Sequence, residues 1–105
     1  MRAVTHFRVT KQFGETTLVE ARIATGRMHQ IRLHFAAIGY PVVLDDQHGD
    51  FNFNKQFSKK YGLKRQFLHA SRLEIKHRGR KRVWIAPTPP DLQRVIDALR
   101  AENPD

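Results

Sequence analysis

Arg27, His29, Arg32 and His34 fall within the run Thr25-Gly26-Arg27-Met28-His29-Gln30-Ile31-Arg32-Leu33-His34, and no acid interrupts them. A helix start offers unpaired N–H groups and partial positive charge, so its first turn ordinarily holds Asp, Glu, Ser or Thr. Cations gathered there make an anion site whose natural occupant is a phosphate or a carboxylate. The structural alternative is an arginine that pairs with a core carboxylate. Other chemistries lack their residues. His29 and His34 are five apart rather than four and have no Glu in the zincin position. Asp45, Asp46 and Asp50 surround Gly49 without the oxygen ladder or terminal Glu of a calcium loop, so a polar turn is expected and no metal. Ser58 and Ser71 have no Gly-x-Ser-x-Gly elbow, and neither a phosphate loop nor a dinucleotide fingerprint occurs.

The flanking pattern says how this run is held. Thr17, Val19, Ala21 and Ile23 alternate as one side of a half-buried strand that should stop at Ala24. Thr25 is a good N-cap, and Gly26 permits close approach of the backbone. Met28, Ile31, Phe35 and Ile38 form a helical stripe, ended by Gly39 and Tyr40-Pro41. Upstream, Phe7, Val9 and Phe13 share one side of a first strand, and Gly14-Glu15 is a two-residue hairpin turn. Downstream, Pro41 to Leu44 reads as a short buried strand or an extended link. Residues 51–65 mix Phe51, Phe53, Phe57 and Tyr61 with Lys55, Lys59, Lys60, Lys64 and Arg65. That mixture suits either a segment that stacks on bases and touches phosphates or an amphipathic helix that buries its rings. Phe67 to Ile75 alternates as a strand, and a basic turn, Arg78 to Lys81, leads into Arg82 to Ala86. Thr88 as N-cap, Pro89 at the first position and Asp91 predict a final helix with a stripe of Leu92, Val95, Ile96 and Leu99. The order predicts an α+β domain, a mostly antiparallel sheet with two packed helices.

The 105 residues carry 19 Lys and Arg against 10 Asp and Glu, a net charge of +9, with the cations interleaved among Phe and six His. Such a balance favours an anionic polymer as partner, since phosphate contacts release counterions. The chain has no Cys, so it has no disulfide frame and no thiol nucleophile, which fits a cytoplasmic location. No long apolar run or signal-peptide pattern suggests a membrane partner.

The succession Thr25-Gly26-Arg27-x-His29-Gln30-Ile31-Arg32-x-His34, Gly39-x-Pro41-Val42, Asp45 with Gly49, Leu68-His69-Ala70 and Ala86-Pro87-x-Pro89 resembles the C-terminal half of RluA-type RNA pseudouridine synthases. The likeness spans nearly the whole chain, and Asp45-Asp46 with Asp50 looks most like the branch acting on large-subunit ribosomal RNA. The resemblance implies isomerisation of uridine to pseudouridine without a cofactor, by an Asp that attacks the nucleoside. It implies that Arg32 pairs with and orients that Asp, and that Arg27, His29, Lys64 and Arg65 contact RNA. The family's His-Arg-Leu-Asp motif does not occur in these residues. His48 stands where the family usually has Tyr, Tyr40 where it has His, and Leu44 where Gly is common. Residues 1–105 are therefore expected to be the C-terminal portion of a catalytic domain, inactive alone. Arg32 should lack a carboxylate partner in this chain and meet solvent or an anion. An Arg32 buried against an Asp of its own would instead mark a complete, divergent site. A sheet edge and apolar surface left open invite a dimer or strand exchange. The competing function is a noncatalytic basic RNA-binding module.

Overall fold

A computed structural model describes residues 4–23 and 28–104. Its elements are β1 (Thr5–Phe13), β2 (Thr16–Ile23), α1 (Met28–Ala37), α2 (Phe51–Tyr61), β3 (Arg72–His77), β4 (Arg80–Ile85) and α3 (Pro90–Glu102). The chain is α+β and its pairing antiparallel, as expected, but the strands form two separate two-stranded sheets and the helices number three among the described residues. The single sheet with two helices is thus corrected. Sequence alternation reports which strands form and says nothing of whether two hairpins join.

In β1–β2 the turn is Gly14-Glu15, with Gly14 at φ 60°, the positive value that a tight hairpin turn requires of its first residue. Thr10 is an extra residue: Val9 faces Val19 but Lys11 faces Leu18. Beyond this bulge β2 turns Leu18, and not Thr17, toward the core. Phe13 joins that core, whereas Phe7 lies against Phe35 of α1, ring centroids 5.2 Å apart. A bulge has no signature in a period-two pattern, so the expected common face of Phe7, Val9 and Phe13 is divided.

Helix α1 closes as its sequence dictates. Gly39 at φ 85° donates to the Ala36 carbonyl and Tyr40 to that of Phe35, the paired bonds that satisfy a helix end. Ile31 and Phe35 of the expected stripe are buried, while Ile38 is exposed. Thr25 and Gly26 lie outside the described residues. Pro41 to Leu44 forms no strand. It is a link whose Leu44 sits at φ 63°, a conformation that L side chains rarely adopt and a Gly takes freely.

The segment with two readings is helix α2. Asp50 caps it by accepting from the Phe53 N–H at 3.0 Å, and Gly62 at φ 71° ends it. Phe53, Phe57 and Tyr61 succeed one another at i, i+4 and i+8, their rings 5.7 and 4.5 Å apart. They pack with Phe13, Leu63, Leu92, Val95 and Leu99 in the main core. These rings are therefore core, and Phe51 alone of the four aromatics points largely to solvent.

The stripe of α3 is buried as expected. Its cap differs: the N-cap is Pro89, Pro90 opens the helix, and among the described residues no side chain caps it. Pro at the first helical position costs no hydrogen bond, which moves the start one residue on. Strand β3 begins at Arg72 rather than Phe67, because the preceding residues are held elsewhere: the Phe67 N–H donates to the Val43 carbonyl at 2.8 Å.

Candidate functional site

Arg32 projects from α1 toward the turn that follows it. Its Nε donates to Asp45 Oδ2 at 2.9 Å and its Nη2 to Asp45 Oδ1 at 2.7 Å, the fork-on-carboxylate geometry of a strong ion pair. Nη2 also donates to Gln47 Oε1 at 3.2 Å, and Asp46 lies 3.8 Å away. The Asp45 side chain is 0% exposed and that of Arg32 15%. The expectation that Arg32 lacks a carboxylate in its own chain is thus corrected, in favour of the core-carboxylate alternative.

Asp45 is the centre of a wired turn. Its Oδ1 also accepts from the N–H groups of Gln47 at 3.0 Å and His48 at 3.1 Å. Asn54, buried on α2, donates from Nδ2 to the Asp45 carbonyl at 3.0 Å and accepts from the Leu44 N–H at 2.8 Å. A Cβ on Gly49 would meet the Asp45 carbonyl oxygen at 2.2 Å, so no side chain fits there. The turn is polar in composition and yet buried at its centre, which composition alone does not reveal. The spacing of Asp45, Gly49, Asp50 and Asn54 was the available signal, since two Asx residues can bond a turn from inside while a Gly lets its backbone close.

Arg32 and the two amides hold the Asp45 carboxyl well below the usual carboxylate range, the bond to Arg32 being the largest cause, and burial opposes them. The same bond raises the Arg32 pKa. Asp45 is consequently ionised but enclosed. A nucleophile must reach its substrate, so this carboxylate acts as a clamp and the pair is not by itself a complete catalytic site. Among the described residues Arg32 bonds through Nε and Nη2, and no hydrogen bond is made by its Nη1.

The remaining expected contacts scatter. His29 is exposed one turn before Arg32, its ring 5.7 Å from that of His48, whose Nε2 is buried without a partner among the described residues. Lys64 is exposed. Arg65 is engaged in a fork on Asp91, at 2.7 and 2.8 Å, which ties the segment after α2 to the start of α3. Arg27 lies outside the described residues. An open groove of about 280 Å³ is formed by β1 and α1, lined by Thr5, Phe7, His34, Phe35, Ala37 and Ile38. His34 is anchored there to Thr5 through Nδ1.

Residues 1–37 match the family model described as RNA pseudouridylate synthase. The chain is similar to RNA pseudouridine synthases. It is 40% identical over 101 residues to the ribosomal large subunit pseudouridine synthase C of Salmonella typhi, covering 93% of this chain and 32% of that protein. The protein of that name from Escherichia coli (strain K12) is 39% identical over 99 residues, 91% of this chain and 31% of its own length. An uncharacterized RNA pseudouridine synthase of Chloroflexus aurantiacus is 41% identical over 100 residues, 93% of this chain and 30% of its own. The chain thus spans about a third of the length of these relatives, in their C-terminal region.

Proposed function

We propose that residues 1–105 are the C-terminal portion of an RNA pseudouridine synthase catalytic domain whose parent isomerises uridine to pseudouridine in large-subunit ribosomal RNA, in the cytoplasm and without a cofactor. The observation that carries this reading is the half-used guanidinium of Arg32. Asp45 fixes the edge formed by Nε and Nη2, so the Nη1 edge is presented in one orientation. A carboxylate brought to that edge would be held ionised and aimed, which is what a nucleophilic Asp needs. That Asp is assigned to a His-Arg-Leu-Asp motif, which these 105 residues do not contain. The two hairpins are read as parts of one catalytic sheet completed by the missing portion, and Arg27, His29 and Lys64 as contacts to RNA.

The test is uridine conversion on large-subunit ribosomal RNA by this chain alone and by this chain mixed with the complementary N-terminal segment of the Escherichia coli relative. The expected result is no product from the chain alone, product from the mixture, and loss of that product with Arg32→Ala. Conversion by the chain alone would overturn the fragment reading. RNA binding without conversion in either case would favour a noncatalytic RNA-binding module, which the charge of +9 also supports.

A further inference from the structure

The β3–β4 ribbon violates two local preferences at its tip, and both violations place a cation. Its turn is Arg78-Gly79, with His77 facing Arg80 across it and positive φ at both turn residues, 50° and 74°. Such a turn is ordinarily Asn-Gly or Asp-Gly, since a short polar side chain tolerates the left-handed region and a long one gains nothing there. Arg occupies that position. One step along, Lys76 and Lys81 face each other directly, and like charges opposed across a ladder repel.

The rest of the tip is cationic as well. Residues 76–82 hold five cations and no acid. Lys76, Arg78, Arg80 and Arg82 are all exposed, and none of these four makes an ion pair among the described residues. By contrast Arg8 has Glu20, Arg32 has Asp45, Lys60 has Glu102 and Arg65 has Asp91. Strand alternation puts Arg80 and Arg82 on one face and Lys81 on the other, so the tip is cationic all round. A solvated surface would not concentrate cost and charge at one point; strained or repelling positions persist where a function uses them.

We propose that the β3–β4 tip is an RNA contact, with Lys76, Arg78, Arg80 and Arg82 gripping the phosphate backbone irrespective of base sequence. The proposal rests on the reading of the chain as part of an RNA-modifying enzyme. Phosphates fit because the tip offers several exposed point charges and forked donors spread along the ribbon, which suit a backbone of repeated phosphates.

The experiment is a titration of a fluorescently labelled stem-loop RNA, uridines in its loop, across a series of salt concentrations. The variant is Arg78→Asn with Arg80→Thr and Arg82→Thr. Asn suits the left-handed position and Thr suits a strand, so circular dichroism and the thermal midpoint should hold or rise. The control removes three charges elsewhere by Lys59→Gln, Arg94→Gln and Arg100→Gln. The tip variant is expected to lose roughly tenfold or more in affinity near physiological salt and to flatten the log–log salt slope by about 2 to 3. The control should change little. Equal losses in variant and control would overturn the tip as a site and leave the enzyme reading intact. Polyglutamate bound as tightly as RNA, and lost in the same variant, would overturn RNA as its ligand. A wild-type chain that binds no RNA would overturn both.

Discussion

Arg32 reads from sequence as a cation in search of an anion, and the structure supplies half of the answer from within the chain. Asp45 gathers the guanidinium fork and two amides on one buried carboxylate. Removing that carboxylate strands an arginine and two N–H groups together. Asp45→Ala is therefore expected to cost about 3 to 5 kcal/mol, seen as a lower denaturant midpoint at an unchanged slope. A cost below about 1 kcal/mol would mean that the turn rearranges and that Arg32 is not held by it. What the sequence left hidden here was burial: Asp45, Asp46 and Asp50 look alike in composition, yet Asp45 is enclosed, Asp46 is exposed and Asp50 caps a helix. Only the backbone path, with Gly49 pressed on the Asp45 carbonyl, separates them.

At the scale of elements, local grammar was readable where termini announce themselves. Gly14, Gly39 and the stripe of α3 fell where their residue types put them. The bulge at Thr10 and the choice between stacking and burial for Phe53, Phe57 and Tyr61 were not readable, because both depend on partners distant in the chain. The same holds for Arg65, whose charge suggested RNA and whose partner is Asp91 at the start of α3. That pair holds the Asp91 carboxyl down at about 2. A folded pKa below the unfolded value of about 3.9 gives a contribution that is complete above that value and fades as pH falls toward 2. Arg65→Gln should accordingly lower the thermal midpoint near neutral pH, and the gap from wild type should close on acidification between about pH 5 and pH 2. A gap that persists at the acid end would assign the loss to packing of the arginine stem. Both partners are partly exposed, so added salt should narrow the gap too.

Across the whole molecule, apolar surface and positive charge are unevenly divided. The main core binds the end of the first hairpin, α2 and α3. Leu73, Val83, Trp84 and Ile85 at the base of the second hairpin stay exposed, Ile85 at 76%, and so do Val4, Phe7 and Ile38 near the groove beside α1. Contiguous exposed apolar surface of this kind favours association. Alone, the chain should self-associate through it, and with +9 to overcome, association should rise as salt screens repulsion. Light scattering checks this, since a monodisperse monomer at every ionic strength would refute it. RNA binding should move oppositely with salt, so one salt series separates the two kinds of contact.

The enclosed turn between α1 and α2 also bears on how such a chain can vary. Connections between helices ordinarily absorb insertions and deletions cheaply, because their backbone faces water. This one does not. Asn54 is bonded to both Asp45 and Asp50, Asp50 caps α2, and Gly49 leaves no room for a side chain against the Asp45 carbonyl. A residue gained or lost between Leu44 and Asn54 would shift the carboxylate away from Arg32 and the cap away from α2 in a single step. The length of this loop is thereby as strictly determined as the register of a strand, and variation in chain length belongs elsewhere in the molecule.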